Sequence, residues 1–125
     1  MRRSDRTVIA FATVAGVALT VIGIRFLFWP EAAARFFGVT SWPTGTELHT
    51  VVALRDLWLG LIVLVLAAWR DWRSLALWFG LGTLVCFGDA VLVASATGKL
   101  HAVAFHVISG IACAAIAVAC WTRRG

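Results

Sequence analysis

The chain has 125 residues, of which 62% are apolar and 14% charged, where an ordinary soluble domain carries roughly 45–50% and about 25%. That balance excludes a water-soluble globule, and the length leaves room for one domain, residues 1–125, without a separate catalytic or nucleic-acid-binding module. The net charge of +5 comes mostly from short arginine clusters at the ends of apolar segments, where basic side chains meet lipid headgroups; no nucleic-acid partner is expected.

In chain order, residues 1–6 place Arg2, Arg3 and Arg6 ahead of a long apolar run. A cleaved secretory signal has a shorter apolar core, of about 7–15 residues, so residues 7–29 read as a retained first span. The connection that follows, residues 30–46, opens with Pro30 and Glu31 and reaches Gly38. Proline at a first turn, an acid beside it and a glycine at the end predict a short helix lying at the membrane surface. Residues 41–45, Ser-Trp-Pro-Thr-Gly, read as a loop.

Residues 47–69, 74–97 and 101–121 supply three more apolar stretches, each long enough for the roughly 20 residues a helix needs to cross a bilayer. The period-two alternation of barrel strands is absent. Short connections at 70–73 and 98–100 force antiparallel neighbours. The expected fold is all-α: an integral membrane antiparallel four-helix bundle with a short interfacial helix between the first two spans.

Outside the spans, Arg2, Arg3, Arg6, Arg70, Arg73, Arg123 and Arg124 fall on one side, and Arg35 and Lys99 on the other. The positive-inside rule then places both termini in the cytoplasm of a multi-pass cell-membrane protein. Trp69, Trp72, Trp78 and Trp121 mark the inner interface and Trp29 and Trp42 the outer one, leaving Trp58 near mid-span. Cys86, Cys113 and Cys120 lie in apolar stretches without CxxC or Cys/His ligand spacing, and read as plain thiols used for packing.

Five polar residues stand at membrane depth: Arg25, Arg55, Asp56, Asp89 and His106. A charge at mid-helix costs at least about 2.5–3.5 kcal/mol, so each calls for a partner or for water. At about 1.5 Å per residue, Asp56 lies about 13 Å, Asp89 about 12 Å, His106 about 8 Å and Arg25 about 6 Å below the outer ends of their spans. Antiparallel threading gathers them in one leaflet, which implies a polar pocket in the outer half of the bundle. His49 shares the helix face of Asp56, and Gly60, one turn below, is expected to leave space there. Gly82, Cys86 and Asp89 form a stripe on the third span; His106, Gly110, Cys113, Ala117 and Cys120 form another on the fourth.

Carboxylates beside an imidazole are the ingredients of proton transfer. On that reading Asp56, Asp89 and His106 are catalytic, and Arg25, Arg55 and His49 bind the substrate. The reaction class is a cofactor-independent acid/base isomerisation, cyclisation or epoxide opening on a lipophilic small molecule. His49, His106, Asp56 and Asp89 have no recognised metal-ligand spacing, and no metal or cofactor is expected. Nucleophile elbow, phosphate loop and dinucleotide fingerprint are all missing. Two other readings use the same residues. The pocket could hold a ligand in a binding or transport subunit of a homo-oligomer joined along glycine and alanine seams. Alternatively, Arg25, Arg55, Asp56 and Asp89 sum to zero charge and could form buried ion pairs, with Asp89 the mate of Arg55 or Arg25, in a membrane scaffold.

The pattern Gly23-Ile24-Arg25, Pro30-Glu31-Ala32-Ala33, Arg35-Phe36-Phe37-Gly38, Arg55-Asp56-Leu57 with Gly60, Gly88-Asp89 and His106 resembles a family of short four-helix membrane proteins known as domain of unknown function 4267. The resemblance runs from the first helix to the fourth. It implies the membrane fold and singles out the same polar residues, and it supplies no reaction.

Overall fold

A computed structural model describes residues 1–39 and 47–124. Five helices follow one another: α1 (Arg3–Phe28), α2 (Pro30–Phe37), α3 (Glu47–Trp69), α4 (Trp72–Ala96) and α5 (Leu100–Trp121). All but α2 are long and apolar enough to cross a membrane. The protein is a multi-pass, all-α membrane bundle with a short helix between its first two spans, as expected. The expected loop at 41–45, with Trp42, lies outside the described residues.

The helix ends follow local chemistry. Pro30 stands in the first turn of α2, where a missing N–H costs nothing, and Gly38 closes that helix at φ 106°, a left-handed conformation glycine adopts freely. Its N–H donates to the Ala34 carbonyl at 3.1 Å, and the Val39 N–H donates to the same oxygen at 3.0 Å. Asp71 caps α4 by accepting from the Ser74 N–H at 3.1 Å and the Ser74 hydroxyl at 2.6 Å. Its carboxyl is held below the ordinary aspartate range, first by the hydroxyl and then by the N–H.

The helices pack as two antiparallel pairs. Along the first, α1 approaches α3 closely enough for backbone to meet backbone. A Cβ on Gly23 would come within 2.8 Å of the Leu57 nitrogen and 2.9 Å of the Ala53 oxygen, and one on Gly60 within 2.8 Å of the Thr20 nitrogen. Small residues permit this approach, and dispersion contacts then hold the pair where lipid offers no hydrophobic drive. Gly60 therefore does not leave space beside Asp56: α1 occupies it. The second pair, α4 with α5, meets across Gly110, which faces the Phe87 ring, and Gly82, which faces the Cys113 sulfur.

The two pairs join most fully at the end that carries both termini. There Ala12, Val63, Ala67, Leu75, Ala76, Phe79 and Cys120 form one buried cluster drawn from all four long helices. Nearby, the Arg123 Nε donates to Asp5 at 2.9 Å and ties the two chain ends together. At the other end a second cluster joins Phe26, Ala33, Ala34 and Ala53 of α1, α2 and α3, without α4 or α5. The α4–α5 pair is reached there through α2. Gly38 fits against Val93 and Ala102, and the Thr97 hydroxyl donates to the Gly38 carbonyl at 2.8 Å.

Candidate functional site

The five polar residues at membrane depth, together with His49, fall in the half of the bundle beneath α2. His106, 4% exposed on α5, is the most enclosed. Its Nε2 lies 3.0 Å from the carbonyl oxygen of Phe37, and its ring meets the Phe37 ring edge-on at 4.4 Å. A carbonyl oxygen only accepts, so Nε2 carries the proton and donates it; in the neutral ring Nδ1 is then the basic nitrogen. Phe105, the residue before His106, meets Phe36 edge-on at 5.3 Å. Together these contacts seat the end of α2 on α5.

Asp89 on α4 and Asp56 on α3 are both half-buried. Counted from the helix ends next to α2, Asp56 lies about 14 Å, Asp89 about 11 Å and His106 about 9 Å deep. Because α4 packs against both α3 and α5, Asp89 is the middle member, by helix order and by depth, of a row running from α3 to α5. All three fall in the half of the bundle next to α2, and the cavity described below touches none of them.

Three other residues do not join that row. His49 is buried against α1, its ring stacked on Phe26 at 6.5 Å, and its Nδ1 has no hydrogen-bond partner. It shares a face with Asp56 but stands seven residues away, about 10 Å along the helix. The Arg25 guanidinium lies 5.5 Å from the centre of the Phe36 ring, a cation–π arrangement on the α2 side. Arg55 is exposed. The expected ion pairs of Asp89 with Arg55 or Arg25 are not formed; among the described residues the ion pairs are Arg35 with Glu31, on α2, and Arg123 with Asp5. Arg25 is taken up by the Phe36 ring on the α2 side, and Arg55 is exposed at the surface of α3, so neither guanidinium reaches Asp89.

A cavity of about 30 Å³, room for a single water, lies between Ile22, Arg25, Phe26, Ala33, Phe36, Phe37 and Phe105. Of the expected site residues it touches Arg25 alone. Among the described residues no three His, Cys, Asp or Glu side chains converge as metal ligands. What sequence reasoning missed is the role of α2. The partners of His106 and Thr97 are the backbone carbonyls of Phe37 and Gly38, groups every residue carries and no motif reveals.

A family model described as domain of unknown function (DUF4267) matches residues 16–120. The chain belongs to the DUF4267 family. In this DUF4267 protein the match covers α3, α4, α2 and nearly all of α5, with the second half of α1, so every residue of the row lies inside it. No curated protein and no solved structure matches the chain. The family's description carries no activity, and the chemistry of this DUF4267 chain rests on its own residues.

Proposed function

We propose that the protein is a membrane-embedded acid/base enzyme acting on a lipophilic small molecule, in one four-helix domain with both termini in the cytoplasm. The observation that supports this most is the placement of Asp56, Asp89 and His106 on α3, α4 and α5, each in the half of its helix next to α2. With Nε2 of His106 engaged by Phe37, Nδ1 is the nitrogen that takes a proton from substrate carbon or from water. A carboxyl group of the aspartate pair gives a proton at a second position, and the aspartate and imidazolium then exchange protons to restore the start. Such a cycle moves a double bond or opens a strained ring with no cofactor. Arg55 would hold negative charge developing on a substrate oxygen, and Arg25 and His49 would contact the substrate's far end.

A labelling experiment detects such a reaction whatever the substrate is. Protein in nanodiscs is incubated with a lipid extract in deuterated, ¹⁸O-labelled water, and the extract is then examined by mass spectrometry. Wild-type protein should label a lipophilic species, and Asp89→Asn and His106→Gln should leave it unlabelled while keeping their helicity. Equal labelling with wild type and both variants overturns the proposal.

A second reading is favoured by one specific contact. His106 bonds a backbone carbonyl that needs a partner in an apolar surrounding, which is also what a purely structural histidine does. In a scaffold, His106→Gln would loosen α2 and no labelling would be seen with any form of the protein.

A further inference from the structure

Two opposite charges are left over once the packing of the bundle is complete. Arg55 is eight residues from the start of α3 and Asp89 seven from the end of α4, which puts them about 12 Å and about 11 Å deep at 1.5 Å per residue. Neither has an ion-pair partner among the described residues. Arg55, Leu59, Ile62 and Leu66 form one stripe of α3, and its far end, Leu66, packs against the four-helix core. Trp78, Gly82, Val85, Asp89 and Leu92 form one stripe of α4, and Trp78 packs against that same core. The two stripes meet through that core at the termini end, and the cluster at the α2 end includes no residue of α4. Beside Asp89 the seam is open, with Val85 62% and Leu92 58% exposed.

An open seam that carries both signs at one depth is complementary to itself. Two copies standing parallel in a bilayer, related by a two-fold axis along the membrane normal, bring residues of equal depth face to face, and each contact occurs twice. Lipid tails offer neither an acceptor for a guanidinium nor a donor for a carboxylate, whereas a second seam offers both. We propose that the protein forms a parallel homodimer through the α3–α4 seam, in which Arg55 of each copy pairs with Asp89 of the other. The glycines that sequence reading assigned to oligomer seams are not needed for this. Gly16, Gly23 and Gly60 are taken up between α1 and α3 within one chain. The dimer does not depend on the seam being catalytic.

Charge reversal in trans tests the pairing. Full-length protein is reconstituted at low density in phosphatidylcholine liposomes, and copies per spot are counted by single-molecule photobleaching. Wild type should bleach in two steps. Arg55→Asp alone sets acid against acid, and Asp89→Arg alone sets base against base, so each should be monomeric. Mixed together, the two variants present two opposite-charge contacts and should form heterodimers, read as energy transfer between differently labelled pools. Should a reversal disturb helicity, Arg55→Gln and Asp89→Asn serve instead, each removing both symmetry-related pairs and weakening association by about tenfold, the scale of two average interhelical polar contacts in lipid. Single-step bleaching of wild type shows lipid in the seam and overturns the proposal, as does a reversed variant that stays dimeric or a mixture that stays monomeric. None of these readings uses a substrate, so the dimer and the acid/base chemistry fail separately.

Discussion

The two halves of the bundle are held by different forces. At the termini end, all four long helices share an apolar cluster centred on Phe79 and Leu75, both fully buried. At the α2 end, α1 and α3 stay in close contact, but α4 and α5 are fastened by the last turn of a short helix, through the carbonyls of Phe37 and Gly38. In lipid the apolar tails are as good a solvent for leucine as a neighbouring helix is. One half therefore coheres by close packing and the other by hydrogen bonds that lipid cannot replace. The comparison also explains where polar groups are tolerated. The termini end is filled by its apolar cluster, whereas Asp56 and Asp89, half-buried, and Arg55, exposed, stand at the end whose cluster includes no residue of α4.

Substitutions should separate the two halves, the packed one giving the larger response. Phe79→Ala removes a fully buried ring from the four-helix cluster, and should cost about 3 kcal/mol, the low end for Phe→Ala because the transfer term is absent in lipid. Reversible unfolding in mixed micelles measures it. A loss no greater than that of Phe36→Ala, whose ring is 45% exposed, would break the distinction.

His106→Leu leaves the Phe37 carbonyl without its partner, which should cost about 1–3 kcal/mol. The effect should be local: amide hydrogen exchange rises in α2 and at the adjoining ends of α4 and α5, while the termini half keeps its protection. Uniform acceleration along all helices would show that the halves are a single cooperative unit.

The smallest effect concerns Asp71, at the turn between α3 and α4. Its carboxyl titrates below its ordinary value because Ser74 donates to it twice. A folded value below the unfolded one means that its contribution is complete above the ordinary value of about 4 and is lost as pH falls through the lowered one. The thermal midpoint of wild type should therefore converge on that of Asp71→Ala as the buffer is taken below that range. A difference between the two that holds constant down to the most acid buffer would show that the cap is not this carboxylate.

Much of this organisation is legible in the residues themselves. Four apolar stretches separated by turns fix four spans, and Pro30, Glu31 and Gly38 mark the ends of α2 because each acts on the backbone beside it. The depths of Asp56, Asp89 and His106 follow from counting along a helix of constant rise. Gly60 shows where such reading stops. Its lack of a side chain signals room for something, and only the approach of α1 decides that the something is Thr20 and not a cavity.

Length, hydropathy and local turn chemistry thus set the spans, their antiparallel order and the half of the bundle that holds the polar groups at membrane depth, since these depend on interactions within a few residues and with the bilayer. Which helices pair closely, how fully the two pairs join, and which carbonyl accepts from His106 depend on contacts between segments up to 118 residues apart. Those contacts are chosen by the fit of whole helix surfaces, and such a fit exists only once the chain is folded.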